Sequence, residues 1–197
     1  MCLLFETIKI FNGTLCTIEF HNKRLNRSRS LLFGTSDYID LRDYIKIHTA
    51  YMQGTVKCRV VYAKSICTIT YGKYDKRNIL TLKTINCDSI DYSYKYCDRS
   101  GIDRLFRFRG EHDDIIIVKD KRITDSSFCN LVFDDGEKLI TPAMPLLAGT
   151  KRQNLLAAGI IGQDEIGLQD LKLFKSVHLI NAMLDLNECK VDINNIF

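Results

Sequence analysis

Asn12-Gly13 decides the first step of folding, because both residues accept the positive φ that a tight two-residue hairpin demands. The run before it, Leu4 to Phe11, reads as a strand, and Thr14 to Ile18 reads as its return. A helix is expected next, from about Glu19 to Phe33, closed by Gly34 at its C-cap. Ile18, His21, Leu25, Ser28 and Leu32 recur there at helical spacing with Arg24 beside them, so one face joins apolar anchors to a histidine and an arginine. Arg27 and Arg29 fall off that stripe and are expected to meet solvent. A second amphipathic helix is predicted near Leu41 to His48, with Leu41, Tyr44, Ile45 and His48 inward.

Three strands are expected at Thr55 to Ala63, Ile66 to Tyr71 and Ile79 to Ile85, completing a first α+β half. Asn86 to Asp91 is polar and turn-prone, which places a domain junction there, with domains at residues 1–88 and 89–197. The second half should hold a helix near Ser100 to Phe108 and strands at Asp114 to Lys119, Asn130 to Phe133 and Lys138 to Thr141. A helix from Gly149-Thr150 to Ala158 and a buried strand at Val177 to Ile180 should follow. No internal repeat, heptad pattern or low-complexity tract interrupts this plan.

At 197 residues the chain can form one ordinary domain or two small ones sharing a core. A hydrophobic share of 46% and a charged share of 26% are those of a soluble globular protein. No apolar run approaches the roughly 18 residues of a membrane span. Glu6 follows the first residues too closely for a signal peptide, so a cytoplasmic location and no membrane partner are expected. The net charge of +4 favours an anionic ligand but is far from the basic stripe of a nucleic-acid binder. The eight cysteines make no Cys-x-x-Cys pair and meet no histidine at zinc-ligand spacing, so free thiols in a reducing compartment and no metal site are expected.

Four local signals carry possible chemistry. Lys95 lies among Tyr92, Tyr94 and Tyr96, where partial desolvation favours the neutral amine that imine formation needs. Taken alone, it also reads as a solvated strand lysine. Asp125 sits in a short segment between strands, Thr124 to Asn130, where an Asx-type turn is the plain alternative. Leu147 to Arg152 is a glycine-led turn opening a helix, which aims N–H groups and a positive dipole end at a possible phosphate. An ordinary capped helix would look the same. Arg24 with His21 forms the fourth, against a surface arginine and a satisfied core histidine. Their order along the chain separates these readings.

In that order the sequence resembles the class IV, or fold type IV, pyridoxal-phosphate enzymes, which include branched-chain and D-amino-acid aminotransferases and 4-amino-4-deoxychorismate lyase. The resemblance begins at Phe5-Glu6-Thr7 with the Asn12-Gly13 hairpin and continues through His21-x-x-Arg24-Leu25-x-x-Ser28, similar to the family's cofactor-phosphate helix. Lys95 stands at the place of the Schiff-base lysine, with Asp98-Arg99 where the family usually has Asn. Ile123-Thr124-Asp125 through Asn130-Leu131-Val132-Phe133 resembles the segment whose acid meets the pyridine nitrogen. Leu147 to Arg152 resembles the Gly-Ile-Thr-Arg phosphate turn, and Ile180-Asn181-Ala182-Met183 the lyase version of the second phosphate loop.

The resemblance implies an α+β fold of two small domains with the cofactor in the cleft between them. It implies Lys95 as covalent anchor and general base and acid at the substrate Cα. Asp125 would keep the pyridinium protonated, and Arg24, Thr150, Lys151, Asn181 and Ala182 would hold the phosphate. Arg59 and His21 become candidates for contacting an amino-acid-like substrate. It also implies a homodimer. Three departures stand out: the strand and Gly-Asp-Gly approach that precede Phe-Glu-Thr in longer members are missing, the usual glutamate is Asp125, and Lys151 replaces a threonine. The leading expectation is a lyase that eliminates pyruvate from 4-amino-4-deoxychorismate to give 4-aminobenzoate, a step of folate biosynthesis. The alternatives are a branched-chain or D-amino-acid aminotransferase and a non-catalytic protein that keeps this fold; retention of both Lys95 and Asp125 argues against the last.

Overall fold

In the computed structural model, which describes residues 2–197, the leading hairpin forms at Asn12 (φ 47) and Gly13 (φ 77). It joins β1 (Leu4–Phe11) to the short β2 (Thr14–Leu15). α1 (Ile18–Phe33) follows and ends on Gly34, whose left-handed backbone (φ 66) returns its N–H to the Ser30 carbonyl. β3 (Thr55–Tyr62) and β4 (Ile66–Lys73) extend the sheet to the order β2-β1-β3-β4.

Strict alternation gives this sheet two unlike faces. Leu4, Ile8 and Ile10 of β1 pair with Tyr62, Cys58 and Val56 of β3, and all six are buried with Leu25 and Ile18 of α1. The other face pairs Thr7 with Arg59 and Lys9 with Lys57. On the far side of β1, Leu4 bridges Tyr96, with Phe5 N–H donating to the Lys95 carbonyl (3.0 Å) and Cys97 N–H to that of Leu3 (2.8 Å).

Three expectations for this region change. Arg29 is 1% exposed rather than solvated, because its guanidinium donates to the Lys64 and Asp37 carbonyls, the Asn26 amide oxygen and both Asp37 carboxylate oxygens. That set satisfies the donor fork and permits burial. Leu32, expected inward, is 37% exposed in the last turn. The second helix is only α2 (Leu41–Tyr44), since Ile45 turns extended (ψ 111) and His48 caps a 3-10 turn at Thr49–Tyr51. Leu41 and Ile45 are buried as expected, whereas Tyr44 and His48 point outward. Asn22 fixes this stretch to α1 by donating to Asp40 and accepting the Leu41 N–H.

Two compact units divide the chain differently from a junction near residue 88. The first runs to Lys76 and takes in Tyr94–Asp98; the second holds Arg77–Ser93 and Arg99–Phe197. The reason lies in strand pairing. β5 (Leu82–Asn86), expected to complete the first half, instead pairs in parallel with β6 (Asp114–Lys119) of the second unit.

α3 (Ser100–Arg107) precedes β6, which leads through β7 (Arg122–Ser126), β8 (Asn130–Asp134) and β9 (Leu139–Pro142) to α4 (Thr150–Ala157). β10 (Gly162–Asp164), β11 (Ser176–Ile180) and β12 (Lys190–Asp192) complete the unit. β8 organises it, pairing with β7, β9 and, over its whole length, β11. Ile115, Ile116, Ile117 and Val118 of β6 are fully buried, the continuous apolar run of a strand covered on both faces. Arg152 ties α4 to the sheet through Thr141, the Pro142 carbonyl and Gln163. All eight cysteines are free thiols. Among the described residues no helix is long and apolar enough to cross a membrane.

Leu25 is the central anchor of α1 on its sheet, with no exposure. Leu25→Ala is expected to destabilise the protein by about 2–5 kcal/mol, read as a shift of the urea unfolding midpoint.

Candidate active site

In the first unit, Lys95 owes its position to backbone pairing. Because Leu4 stands opposite Tyr96, Phe5 stands opposite Lys95 and shares its face of the sheet. The Lys95 ammonium lies 4.7 Å from the centroid of the Phe5 ring, and the Arg59 guanidinium 3.7 Å from the same centroid. Arg59 also reaches the Cys97 thiol at 3.9 Å. The expected desolvation of Lys95 by its tyrosines is therefore corrected. Tyr94 and Tyr96 pack with the core on the opposite face, and Phe5, 4% exposed, is the aromatic surface beneath the amine.

On the core side of the same strand, Glu6 has no exposure and receives three donors. His21 Nδ1 lies 2.6 Å from Oε2, while Arg24 donates from Nε to Oε1 (2.8 Å) and from a terminal nitrogen to Oε2 (2.5 Å). Burial alone would raise the Glu6 pKa, but the Arg24 charge and the His21 and Arg24 hydrogen bonds outweigh it and bring it to about 2. Burial lowers His21, with the Arg24 and Lys95 charges adding to the effect against the Glu6 bond. A neutral imidazole donating Nδ1–H to an ionised Glu6 fits both directions. Arg24 is thereby fixed in plane by a bidentate acid.

In the second unit, Asp125 is 6% exposed and is not the group that closes its turn. Ser126 does that, its hydroxyl accepting the N–H groups of Phe128 and Cys129. Asp125 is left facing inward, with Oδ1 accepting from the Asn130 amide (2.7 Å) and Oδ2 from the Leu147 N–H (2.9 Å). Burial pushes its pKa up to about 6 despite these bonds and the Arg152 charge. Asn130 also donates to the Leu147 carbonyl, so one amide joins the acid to the turn that opens α4.

Gly149 is required in that turn, since a Cβ there would come within 1.9 Å of the Asn130 Oδ1. The first turn of α4 then presents the N–H groups of Thr150 and Lys151 outside the helical ladder. Lys151 pairs with Asp185 and so brings the helix start beside the turn at Asn181–Leu184. The side-chain Oδ1 of Asn181 accepts the N–H groups of Met183 and Leu184, and its Nδ2 donates to the Cys129 thiol at 3.2 Å. Within the second unit, then, Asp125, Thr150, Lys151 and the Asn181-Ala182 turn form one connected group. Within the first, Lys95 joins Arg59, and Arg24 joins His21.

Sequence reasoning assigned no role to Glu6, Asn130 or Asp185. Glu6 carried a usable signal, a charge at an inward position of an alternating strand. Asn130 and Asp185 act through pairings between segments distant in sequence, which spacing does not reveal.

The chain belongs to amino-transferase class IV, whose sequence profile matches residues 59–190. Membership makes it a pyridoxal-phosphate-dependent enzyme. It is 38% identical over 182 residues to an uncharacterised protein of Haemophilus influenzae, covering 91% of this chain and 97% of the relative. A crystal structure from Haemophilus somnus, provisionally named 4-amino-4-deoxychorismate lyase, is 34% identical with a TM-score of 0.89, over 94% of this chain and 98% of that one. A provisionally named amino-acid aminotransferase from Mesorhizobium loti shares the fold at 18% identity, with a TM-score of 0.80 over the full length of both chains.

A carboxylate with a depressed pKa contributes stability that is complete above its unfolded value, near 4.5, and is lost as pH falls toward about 2. Glu6→Gln should accordingly be less stable than the parent near neutrality. The gap between the two in urea melts should close between those pH values.

Proposed function

We propose that the chain is a 4-amino-4-deoxychorismate lyase, which eliminates pyruvate from that substrate to give 4-aminobenzoate. The observation that carries this reading is the provisionally named lyase at 34% identity, matched over 98% of its own chain. The homodimer and the cytoplasmic location belong to the same reading on family resemblance alone.

The residues present suit pyridoxal phosphate. Asp125 is a buried acid pushed up to about 6 whose hydrogen bonds come from a neutral amide and a backbone N–H. A protonated pyridine nitrogen would provide the positive partner that such a carboxylate lacks at hydrogen-bond range. The N–H groups of Thr150 and Lys151 at the start of α4 suit a phosphate, with Ala182 and Asn181 in the turn beside them and Arg24 as a charged ligand. Attached through Lys95, the cofactor supplies an electron sink for negative charge at the substrate carbon that bears the amine.

The chain's own residues do the rest. The Lys95 amine takes the proton from that carbon. The electron pair released expels enolpyruvate from the neighbouring carbon, and the ring becomes aromatic. Asp125, ionised, holds the proton on the pyridine nitrogen throughout. Arg59, beside Lys95 on Phe5, orients a substrate carboxylate, and His21 steadies Glu6, which in turn holds Arg24.

Purified protein supplied with pyridoxal phosphate should show a visible absorption band that borohydride fixes covalently. Lys95→Ala should lack it; a band that survives in this variant overturns the assignment of Lys95. Asp125→Asn should keep the attachment but lose about 10²–10³-fold in kcat, measured as 4-aminobenzoate release. Release of 4-aminobenzoate without amino-group exchange supports the lyase, whereas exchange between amino and keto acids would make it an aminotransferase.

A further inference from the structure

His178 is an unusual side chain for its position. All five residues of β11 are buried, and its two neighbours, Val177 and Leu179, are aliphatic. At 1% exposure its imidazole costs a desolvation that another aliphatic side chain would not. Its two nitrogens are unequally used. Nδ1 accepts the Asn187 N–H at 3.4 Å. Nε2 has no hydrogen-bond partner among the described residues and faces the Asp134 carboxylate at 3.7 Å. An accepting Nδ1 puts the proton of the neutral ring on Nε2.

The bond to Asn187 reaches the loop that joins β11 to β12, and that loop is two turns in series. The first, Asn181 to Leu184, closes on itself through backbone bonds in both directions. The second closes through the Glu188 N–H to the Asp185 carbonyl and the Asp185 N–H to the Glu188 carboxylate, with Asn187 left-handed (φ 68). His178 ties this second turn to the sheet, and Asp185 ties it to Lys151 at the start of α4. We propose that His178 is a positioning residue for the phosphate end of the cofactor site. By accepting the Asn187 N–H it holds the turn of Asp185, and with it the Asn181-Ala182 turn, against the start of α4. This rests on the reading that these turns bind the cofactor phosphate.

The arrangement works only while the ring is neutral. Burial and the Lys190 charge hold the His178 pKa below its ordinary 6.5, against the pull of Asp134. Lys190 stands opposite His178 on β12, with Asp192 two places along, and Asp134 closes the β8 side. Asp185 and Glu188 are the acids of the loop itself. A protonated ring carries hydrogen on both nitrogens, so Nδ1 would meet the Asn187 N–H donor to donor and the turn would be released.

The test is calorimetric titration of the full chain with pyridoxamine phosphate, which keeps the phosphate but cannot attach to Lys95, from about pH 8 to about pH 5. The ligand's own ionisation is common to every variant and cancels between them. His178→Gln supplies an amide oxygen for the Asn187 N–H and does not titrate, so it should bind like the parent near neutrality. As pH falls below 6.5 the parent should become about three- to tenfold weaker than this variant, the worth of one hydrogen bond. His178→Phe, without an acceptor, should be weaker than both near neutrality by a similar factor. Coincident profiles for the parent and His178→Gln overturn the proposal, as does a parent that binds more tightly in acid than the variant, the result expected if freeing Lys151 dominates. Binding with coincident profiles sinks the role of His178 alone. A parent that binds no pyridoxamine phosphate at any pH sinks the cofactor reading and this proposal with it.

Discussion

Two backbone hydrogen bonds, from Phe5 to the Lys95 carbonyl and from Cys97 to that of Leu3, determine what the first unit can do. Backbone bonds of this kind fix register as well as attachment, and register decides which side chains stand on which face. With Tyr96 opposite Leu4, Tyr94 and Tyr96 turn to the core and Lys95 turns to the face of Phe5 and Arg59. The placing of the Lys95 amine over its aromatic floor and beside Arg59 follows from that pairing. On the reverse of the same strand it leaves Glu6 inward, where His21 and Arg24 close around it.

The second unit reaches its chemistry by another route. There the central device is the Asn130 amide, whose two N–H groups go to Asp125 and to the Leu147 carbonyl. An acid pushed upward by burial would be a liability if its turn were loose, because water could reach it. Asn130 prevents this by holding the acid and the start of α4 together, and Gly149 lets them approach. Lys151 and Asp185 extend the same logic to the second turn.

Elements whose evidence is local were legible in the sequence. The Asn12-Gly13 hairpin, α1 with its Gly34 cap, and the strands around Val60 and Ile116 follow from turn chemistry and period. Where tertiary contacts override local preference, the reading failed. Arg29 looked like a surface charge because its acceptors lie at Asp37 and Lys64, outside the helix. β5 looked like part of the first half because parallel pairing with β6 leaves no mark at the level of spacing. The candidate site was legible as residue types in order, but the partners that orient them were not: the inward charge of Glu6 left a signal in the strand pattern, whereas Asn130 acts through geometry alone.

The segment that carries Lys95 is entered from the second unit and left for the second unit, yet it is stitched to β1 of the first. Strand parity then places an asymmetric demand on the chain. The stretch between β5 and Tyr94 can grow or shrink by any number of residues that solvent will accommodate. The pairing itself cannot slip by even one, because a single step exchanges Lys95 for a tyrosine on the face of Phe5 and Arg59. Loop length there is a free variable, and the odd-or-even phase of the stitch is not.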